Sequence, residues 1–283
     1  MKASVECYPC LKNLAAQASG LATGDLNLRR FIEMQCLNFL NSKFSLDAIP
    51  AEIANEMHRI IRELSGNKDP YKSFKAREIE IARQLFKAIG DRVGSDLRSR
   101  IKLAALGNTM DFFRDLKDME REFYDAIDFA IDDIAIAEGK LKAKAKKVLY
   151  LADNAGEVFF DLPLLIKLRE YAEVVYAVKQ SAVQNDLTIE DLQEMQEIDL
   201  ALEIGRIITT GTDTVGIDFS IASEEFKAEF HSADLIFAKG MGYYETLSEL
   251  PREGRVLFIL AAKCLPVARS IGVPLNSYIA MIW

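Results

Sequence analysis

The chain has 283 residues, a formal net charge of −8, half of its residues apolar and 28% charged. That length holds one large or two ordinary domains with full cores, and the acidic balance argues against a surface that tracks nucleic-acid phosphates. No apolar run reaches the roughly 20 residues that a membrane span needs, and the opening Met1-Lys2-Ala3-Ser4-Val5-Glu6 lacks a signal-peptide core, so the expectation is a cytoplasmic protein with neither membrane nor nucleic acid as partner.

Cysteine usage comes first in chain order. Four cysteines in a chain this long do not make a secreted disulfide framework. Cys7-Tyr8-Pro9-Cys10 is a CxxC, and Cys36 is the only other cysteine in the first half. A metal reading lacks a second CxxC, and the nearest histidine is His58. A thioredoxin-like reading lacks the βαβ context. Two small residues packed at a helix start account for the pair equally well, so its role stays open.

From residue 26 to about 139 the apolar spacing is helical. Ile53, Met57, Ile60, Ile61 and Leu64 form one stripe; Ile79, Ala82, Phe86 and Ile89 a second; Leu97, Ile101, Ala104 and Ala105 a third; Phe123, Ile127, Ala130, Ile131 and Ile134 a fourth. Between the last two, Gly107 ends a helix and Asn108 caps the next, unless this Gly107-Asn108-Thr109-Met110-Asp111 junction instead lends polar groups to a pocket. The basic run Lys140, Lys142, Lys144, Lys146 and Lys147 reads as a solvated face or linker. The expected division is a helical domain over 1–143 and an α/β catalytic domain over 144–283.

The second half alternates. Strands are predicted at 147–152, 173–178, 205–210, 234–238, 255–261 and 277–282, with helices between several of them, notably 157–170 and 188–198. That alternation predicts an α/β fold, a mainly parallel sheet covered on both faces. Neither GxGxxG after the first strand nor GxxxxGK[ST] occurs, which disfavours the usual dinucleotide and nucleotide loops.

Ligands in such sheets gather at the carboxyl ends of the strands. There stand Asp153-Asn154 before Gly156, Gln184-Asn185-Asp186, Lys239-Gly240-Met241-Gly242 and Lys263-Cys264. Carboxylates and an amide supply the hard oxygens that favour Mg²⁺ or Mn²⁺ over zinc, while lysine and glycine-flanked N–H groups suit a phosphate. Asn185 or Asp186 reads equally as an ordinary cap of the helix that follows, and His231 has no evident partner and reads as structural.

Asp153-Asn154-Ala155-Gly156-Glu157, Asn185-Asp186 with Thr188, Lys239-Gly240-Met241-Gly242 with Glu245, and Lys263-Cys264 together resemble the metal-dependent damage-control phosphatases, a family long catalogued only as a conserved domain of unknown function. Cys7-Tyr8-Pro9-Cys10 and Gly107-Asn108 with Asp111 resemble its subfamily I. The resemblance implies a Rossmann-like α/β/α sandwich with an added helical domain, and a phosphatase for small phosphometabolites such as damaged or surplus sugar phosphates or nucleotides. It further implies that Asp153, Asn154 and Asp186 hold a divalent metal, commonly Mn²⁺ with Co²⁺ or Ni²⁺ as substitutes. Substrate contacts are implied for Met241 to Glu245 and Lys263, with Asn108, Asp111, Gly240 and Gly242 counted among the binding residues. The chain departs from the pattern at Tyr243, where relatives often carry Asn.

The mechanism expected on that basis is metal-assisted attack of water on a phosphomonoester, with Asp153, Asn154, Asp186 and Lys263 as its working residues. Direct attack by Asp153 ranks below it because the DxDxT of aspartyl-phosphate enzymes is missing. Two rivals stand beside this reading: an adenosylmethionine-dependent carboxyl methyltransferase, and a non-enzymatic metal or redox sensor built on Cys7, Cys10 and Cys36. Oligomeric state is not legible in the sequence.

Overall fold

A computed structural model describes residues 1–89, 93–108, 127–143, 145–195 and 204–283. The N-terminal region is helical: α1 (Cys7–Ala22), α2 (Leu26–Lys43), α3 (Pro50–Ser65), α4 (Lys72–Ile89) and α5 (Leu97–Gly107). Local chemistry explains the boundaries. The Asp25 carboxylate accepts the Asn27 and Leu28 N–H groups at the start of α2; Pro50 opens α3, and Gly66 closes it in the left-handed conformation. Helices α1 to α3 bury a core of their own around Leu11, Ala18, Ile32, Leu40, Met57 and Ile61.

The rest is a seven-stranded sheet in the order β1-β7-β6-β5-β2-β3-β4. The strands are β1 (Phe129–Asp132), β2 (Lys147–Leu151), β3 (Glu173–Val178), β4 (Arg206–Thr209), β5 (Leu235–Lys239), β6 (Val256–Ala261) and β7 (Tyr278–Ile282). All pairings are parallel except β6 with β7. Between the strands run α6 (Ile134–Ala143), a 3₁₀ turn (Ala155–Glu157), α7 (Val158–Arg169), α8 (Ile189–Glu194), α9 (Glu224–Ser232), α10 (Gly240–Leu247) and α11 (Leu265–Ile271). Alternate residues of one strand enter opposite cores: Val148 and Tyr150 of β2 join the core beneath α4, α5 and α7, while Leu149 and Leu151 join the core with α9, α10 and α11. This is the expected α/β sandwich with a helical N-terminal region.

All six predicted strands are present, and one prediction is corrected. Residues 129–132, assigned by spacing to a fourth helical stripe, form β1, which pairs with β7 through Phe129 and Tyr278. Its burial alternates residue by residue, the period of an edge strand, and four residues are too few to separate the two periods. The sheet therefore begins upstream of residue 144. Of the two readings of the basic run, the solvated face holds: Lys140 and Lys142 are exposed on α6, and Lys147 opens β2 with its Nζ 2.8 Å from Glu229. Helices α4 and α5 share the sheet's core rather than that of α1 to α3. No described helix is long and apolar enough to cross a membrane.

The strand order also places the site. From β2 the chain moves outward to β3 and β4, then returns to lay β5 on the other side of β2. The crevice of a doubly wound sheet opens where the order reverses, here between the carboxyl ends of β2 and β5.

Candidate active site

Three loops meet at that crevice. After β2 the chain runs through Asp153 and Asn154 into the 3₁₀ turn. The loop after β3 folds back on it: Leu187 N–H donates to Asp153 O (2.8 Å), Ala155 N–H donates to Asn185 O (2.9 Å), and Asn154 bridges to Asp186. This backbone ladder sets the Asp186 carboxylate beside Asn154. The turn that allows it holds Gln184 at φ 45°, a left-handed conformation uncommon for a residue with a side chain. After β5 comes Gly240, also left-handed at φ 80°, and a Cβ there would lie 2.0 Å from Asp153 Oδ2. Glycine is thus required for both conformation and space.

The side chains form a continuous network. Asn108, brought in by the end of α5, donates from Nδ2 to Asp153 Oδ2 (2.8 Å) and Glu157 Oε1 (3.0 Å), while its Oδ1 accepts Ala261 N–H (3.3 Å). Asn154 Nδ2 donates to Glu157 Oε1 (2.6 Å) and Asp153 Oδ2 (3.3 Å). Beneath them Lys239 donates to Glu157 Oε2 (2.7 Å) and Asp161 Oδ1 (2.6 Å), and Tyr150 OH donates to the same Asp161 oxygen (2.7 Å). On the other side Lys179 donates to Gly216 O (2.6 Å) and Tyr243 OH (2.9 Å) and stands 3.6 Å from Asp186 Oδ2. That oxygen is buried with no hydrogen-bond partner among the described residues. Glu78 reaches in from α4 and accepts from Asn185 Nδ2 at 3.2 Å.

Burial and like charge dominate the electrostatics. Asp153 is pushed well above the usual carboxylate range by burial and then by Glu157 and Asp186, against the pull of Lys263 and Lys239. Asp186 is raised by burial to about 6, with Lys179 opposing, and Asp161 likewise to about 6, with Lys239 opposing. Burial raises Glu78 to about 8, and the Asn185 hydrogen bond only partly offsets it. Burial opposes the charge on Lys239, yet Asp161 and Glu157 hold its affinity for the proton above the ordinary value. Five carboxylates, Glu78, Asp153, Glu157, Asp161 and Asp186, here face three ammonium groups, those of Lys179, Lys239 and Lys263. Counted as fully ionised, the excess is two negative charges.

Of the residues singled out by sequence, the structure gathers Asn108, Asp153, Asn154, Asp186 and Gly240 around one point. Lys263 is exposed at the rim, close enough for its charge to act on Asp153 and Glu78. Met241, Gly242 and Glu245 instead line an adjoining cavity of about 290 Å³ together with Cys7, Cys10 and Cys264. Burial raises Glu245 to about 7 and the Cys264 thiol to about 11. Asp111 lies outside the described residues. Cys36 is not with the CxxC: it is buried in the core of α1 to α3, its Sγ directed at Met57 O, so the expected thiol trio is corrected, and Cys264 takes its place beside Cys7 and Cys10. His231 borders a separate cavity of about 440 Å³ with Phe230, Val256 and Trp283, at the opposite end of β6.

Tyr243, the departure from the family pattern, is fully buried, its hydroxyl against Lys179 and its ring 4.2 Å from the ammonium. It braces Lys179. Sequence reading missed Glu78, Lys179 and the central place of Glu157. Lys179 was findable, since it ends the apolar run of β3 as Asp153 follows that of β2; Glu78 sits on an ordinary helical stripe and gave no signal.

Among the described residues no three His, Cys, Asp or Glu side chains converge as a chelating group. The expected set of two carboxylates and one amide fits a hard divalent cation on other grounds: the buried Asp186 oxygen that accepts no hydrogen bond, the surplus of two carboxylates over ammonium groups, and the all-oxygen chemistry of the donors.

Comparison with known proteins agrees in one direction. The sequence profile of the damage-control phosphatase ARMT1-like domain matches residues 3–279. The damage-control phosphatase PH1575 of Pyrococcus horikoshii is 35% identical over 99% of this chain and 98% of that protein. A damage-control phosphatase of Archaeoglobus fulgidus is 33% identical over 100% of this chain and 99% of its own. The crystal structure of the DUF89 family protein PH1575 superposes with a TM-score of 0.92 at 34% identity, covering 100% of this chain and 99% of that one.

Proposed function

The chain belongs to the damage-control phosphatase ARMT1-like domain family, and on that premise we propose that its β2–β5 crevice hydrolyses small phosphomonoesters with the help of a divalent metal ion, Mn²⁺ first among Mn²⁺, Co²⁺, Ni²⁺ and Mg²⁺. The observation that carries the reading is the buried Asp186 Oδ2, which accepts no hydrogen bond among the described residues and has only the Lys179 ammonium at 3.6 Å, within a cluster whose carboxylates outnumber its ammonium groups by two. Such a cluster is costly unless a cation completes it. Asp153, Asn154 and Asp186 would hold the ion, which when bound supplies Lewis-acid polarisation of a phosphoryl oxygen and of water.

The remaining roles belong to the chain itself. Lys263 at the rim draws in and neutralises the phosphate, and the N–H groups opening α10 at Gly240, which no side chain caps, would serve as donors to equatorial oxygens. Lys179, braced by Tyr243, holds Asp186. Asn108 and Asn154 donate amide hydrogens to Asp153 Oδ2 and so fix the orientation of that carboxylate. The cavity lined by Met241, Gly242 and Glu245 receives the leaving group: each loop bearing a site residue, Asp186, Gly240 or Lys263, also sends a neighbour, Gln184, Met241 or Cys264, into its wall. The substrate class is the small phosphometabolites, sugar phosphates and nucleotides, and the setting is the cytoplasm.

The test is phosphate release from a panel of sugar phosphates, nucleotides and an aryl phosphate, with EDTA and then with each divalent metal. Release that depends on added metal and is lost in Asp153→Ala supports the reading. Release indifferent to EDTA, or undiminished in Asp153→Ala, overturns it.

A further inference from the structure

We propose that Glu157 is a positioning residue that fixes the orientation of the Asn154 side-chain amide and so presents its carbonyl oxygen for metal binding. The inference rests on the metal-dependent reading above. A hard cation takes an asparagine only through Oδ1, yet the side-chain amide can turn half a revolution and offer its NH₂ instead. Here the turn is decided from behind. Glu157 Oε1 is acceptor-only and faces the Asn154 Nδ2 at 2.6 Å and the Asn108 Nδ2 at 3.0 Å. Both amides must direct their hydrogens to it, which leaves Asn154 Oδ1 pointing away. Asn108 is fixed independently in the same sense, because its Oδ1 accepts Ala261 N–H.

The carboxylate has no freedom to yield. Its other oxygen takes the Lys239 ammonium at 2.7 Å, and Lys239 is itself held by Asp161, which Tyr150 holds in turn. Glu157 has 0% exposure, so water cannot replace any of these partners. Donors stand on both sides of it, and a neutral isostere can satisfy only one. With its carbonyl kept on Lys239, a glutamine would push an NH₂ against the amide of Asn154 and force that amide to turn over. Outer residues that orient a ligand in this way typically govern metal affinity.

The experiment is calorimetric titration of Mn²⁺ alone into the metal-stripped full-length protein. Glu157→Gln is expected to bind Mn²⁺ roughly 10- to 100-fold more weakly. Asp161→Asn removes a buried charge of the same cluster without touching either amide, and is expected to weaken Mn²⁺ binding less than Glu157→Gln does. The double variant Glu157→Gln/Asn154→Asp is expected to recover affinity, because a carboxylate presents an oxygen whichever way it turns and accepts from the new amide. It also conserves the buried charge, so it remains informative if the single variant does not fold. Unchanged binding in Glu157→Gln, equal weakening in Asp161→Asn, or no recovery in the double variant overturns the orienting role. An unsubstituted protein that binds no Mn²⁺ overturns the metal reading itself and this inference with it.

Discussion

Gly240 and Asp153 touch across the β2–β5 boundary: a Cβ on Gly240 would stand 2.0 Å from Asp153 Oδ2. The contact joins two strand ends that lie 87 residues apart in sequence and are neighbours only because the strand order reverses there. Gly240→Ala should therefore displace the Asp153 carboxylate and strain a backbone held at φ 80°. An error of about 1 Å in a catalytic group costs on the order of 100-fold in rate, so phosphate release should fall by roughly that factor, with circular dichroism checking that the fold persists. Undiminished turnover would remove Asp153 from the reacting centre.

Lys179 and Tyr243 make a second prediction. Tyr243→Phe keeps the ring under the ammonium and removes only the hydroxyl that accepts from Lys179 at 2.9 Å. A buried donor that loses a partner costs about 1–3 kcal/mol, so denaturant unfolding should show a loss of that order. If Tyr243 braces Lys179 and does not touch substrate, KM should stay near the unsubstituted value. A large rise in KM with unchanged stability would place the ring in the substrate cavity.

Glu78 predicts an unusual dependence of stability on pH. Its folded value of about 8 lies above the ordinary 4.5. Between those values the folded protein binds more protons than the unfolded chain, so stability is fully present below pH 4.5 and is lost as pH rises through 8. Burial gives Glu245, at about 7, the same sign. In EDTA, Tm should fall on going from pH 6 to pH 8.5, and Glu78→Gln should flatten that fall and exceed the parent Tm at the alkaline end. A parent Tm that rises over this window would mean that Glu78 is paired with a cation.

Metal removal gives the fourth. A ligand bound to the folded state alone stabilises it by about 4 kcal/mol at a thousand times its Kd. Saturating Mn²⁺ should therefore raise Tm measurably at pH 8, where the carboxylates that repel one another are most fully charged, and Asp186→Asn should blunt the rise. Scanning fluorimetry with and without EDTA reads both, and an identical Tm in the two conditions would count against a cation at this site.

Much of the molecule was legible before folding was considered, and for a local reason. Six strands, the turn at Asp153-Asn154 and the glycines of Lys239-Gly240-Met241-Gly242 are written in short-range patterns, because apolar runs and turn chemistry depend on neighbours in sequence. The family is legible as well, since its motifs recur in order along nearly the whole chain. The one element misassigned, β1 at Phe129–Asp132, is four residues long and takes its identity from pairing with β7, an interaction of which its own residues carry no trace.

What the sequence by itself determined, then, is which residues stand at strand ends and that oxygen donors and lysines are among them. Only the tertiary structure decided how they meet. The return of β5 to the flank of β2 brought Gly240 against Asp153; packing of α4 and α5 on the sheet brought Glu78 and Asn108 to the same crevice; burial made Glu157 the acceptor shared by Asn108, Asn154 and Lys239. All but the Asn154–Glu157 bond are contacts between segments far apart in the chain. Their energy depends on distance and on the removal of water, and neither quantity exists until the chain has folded.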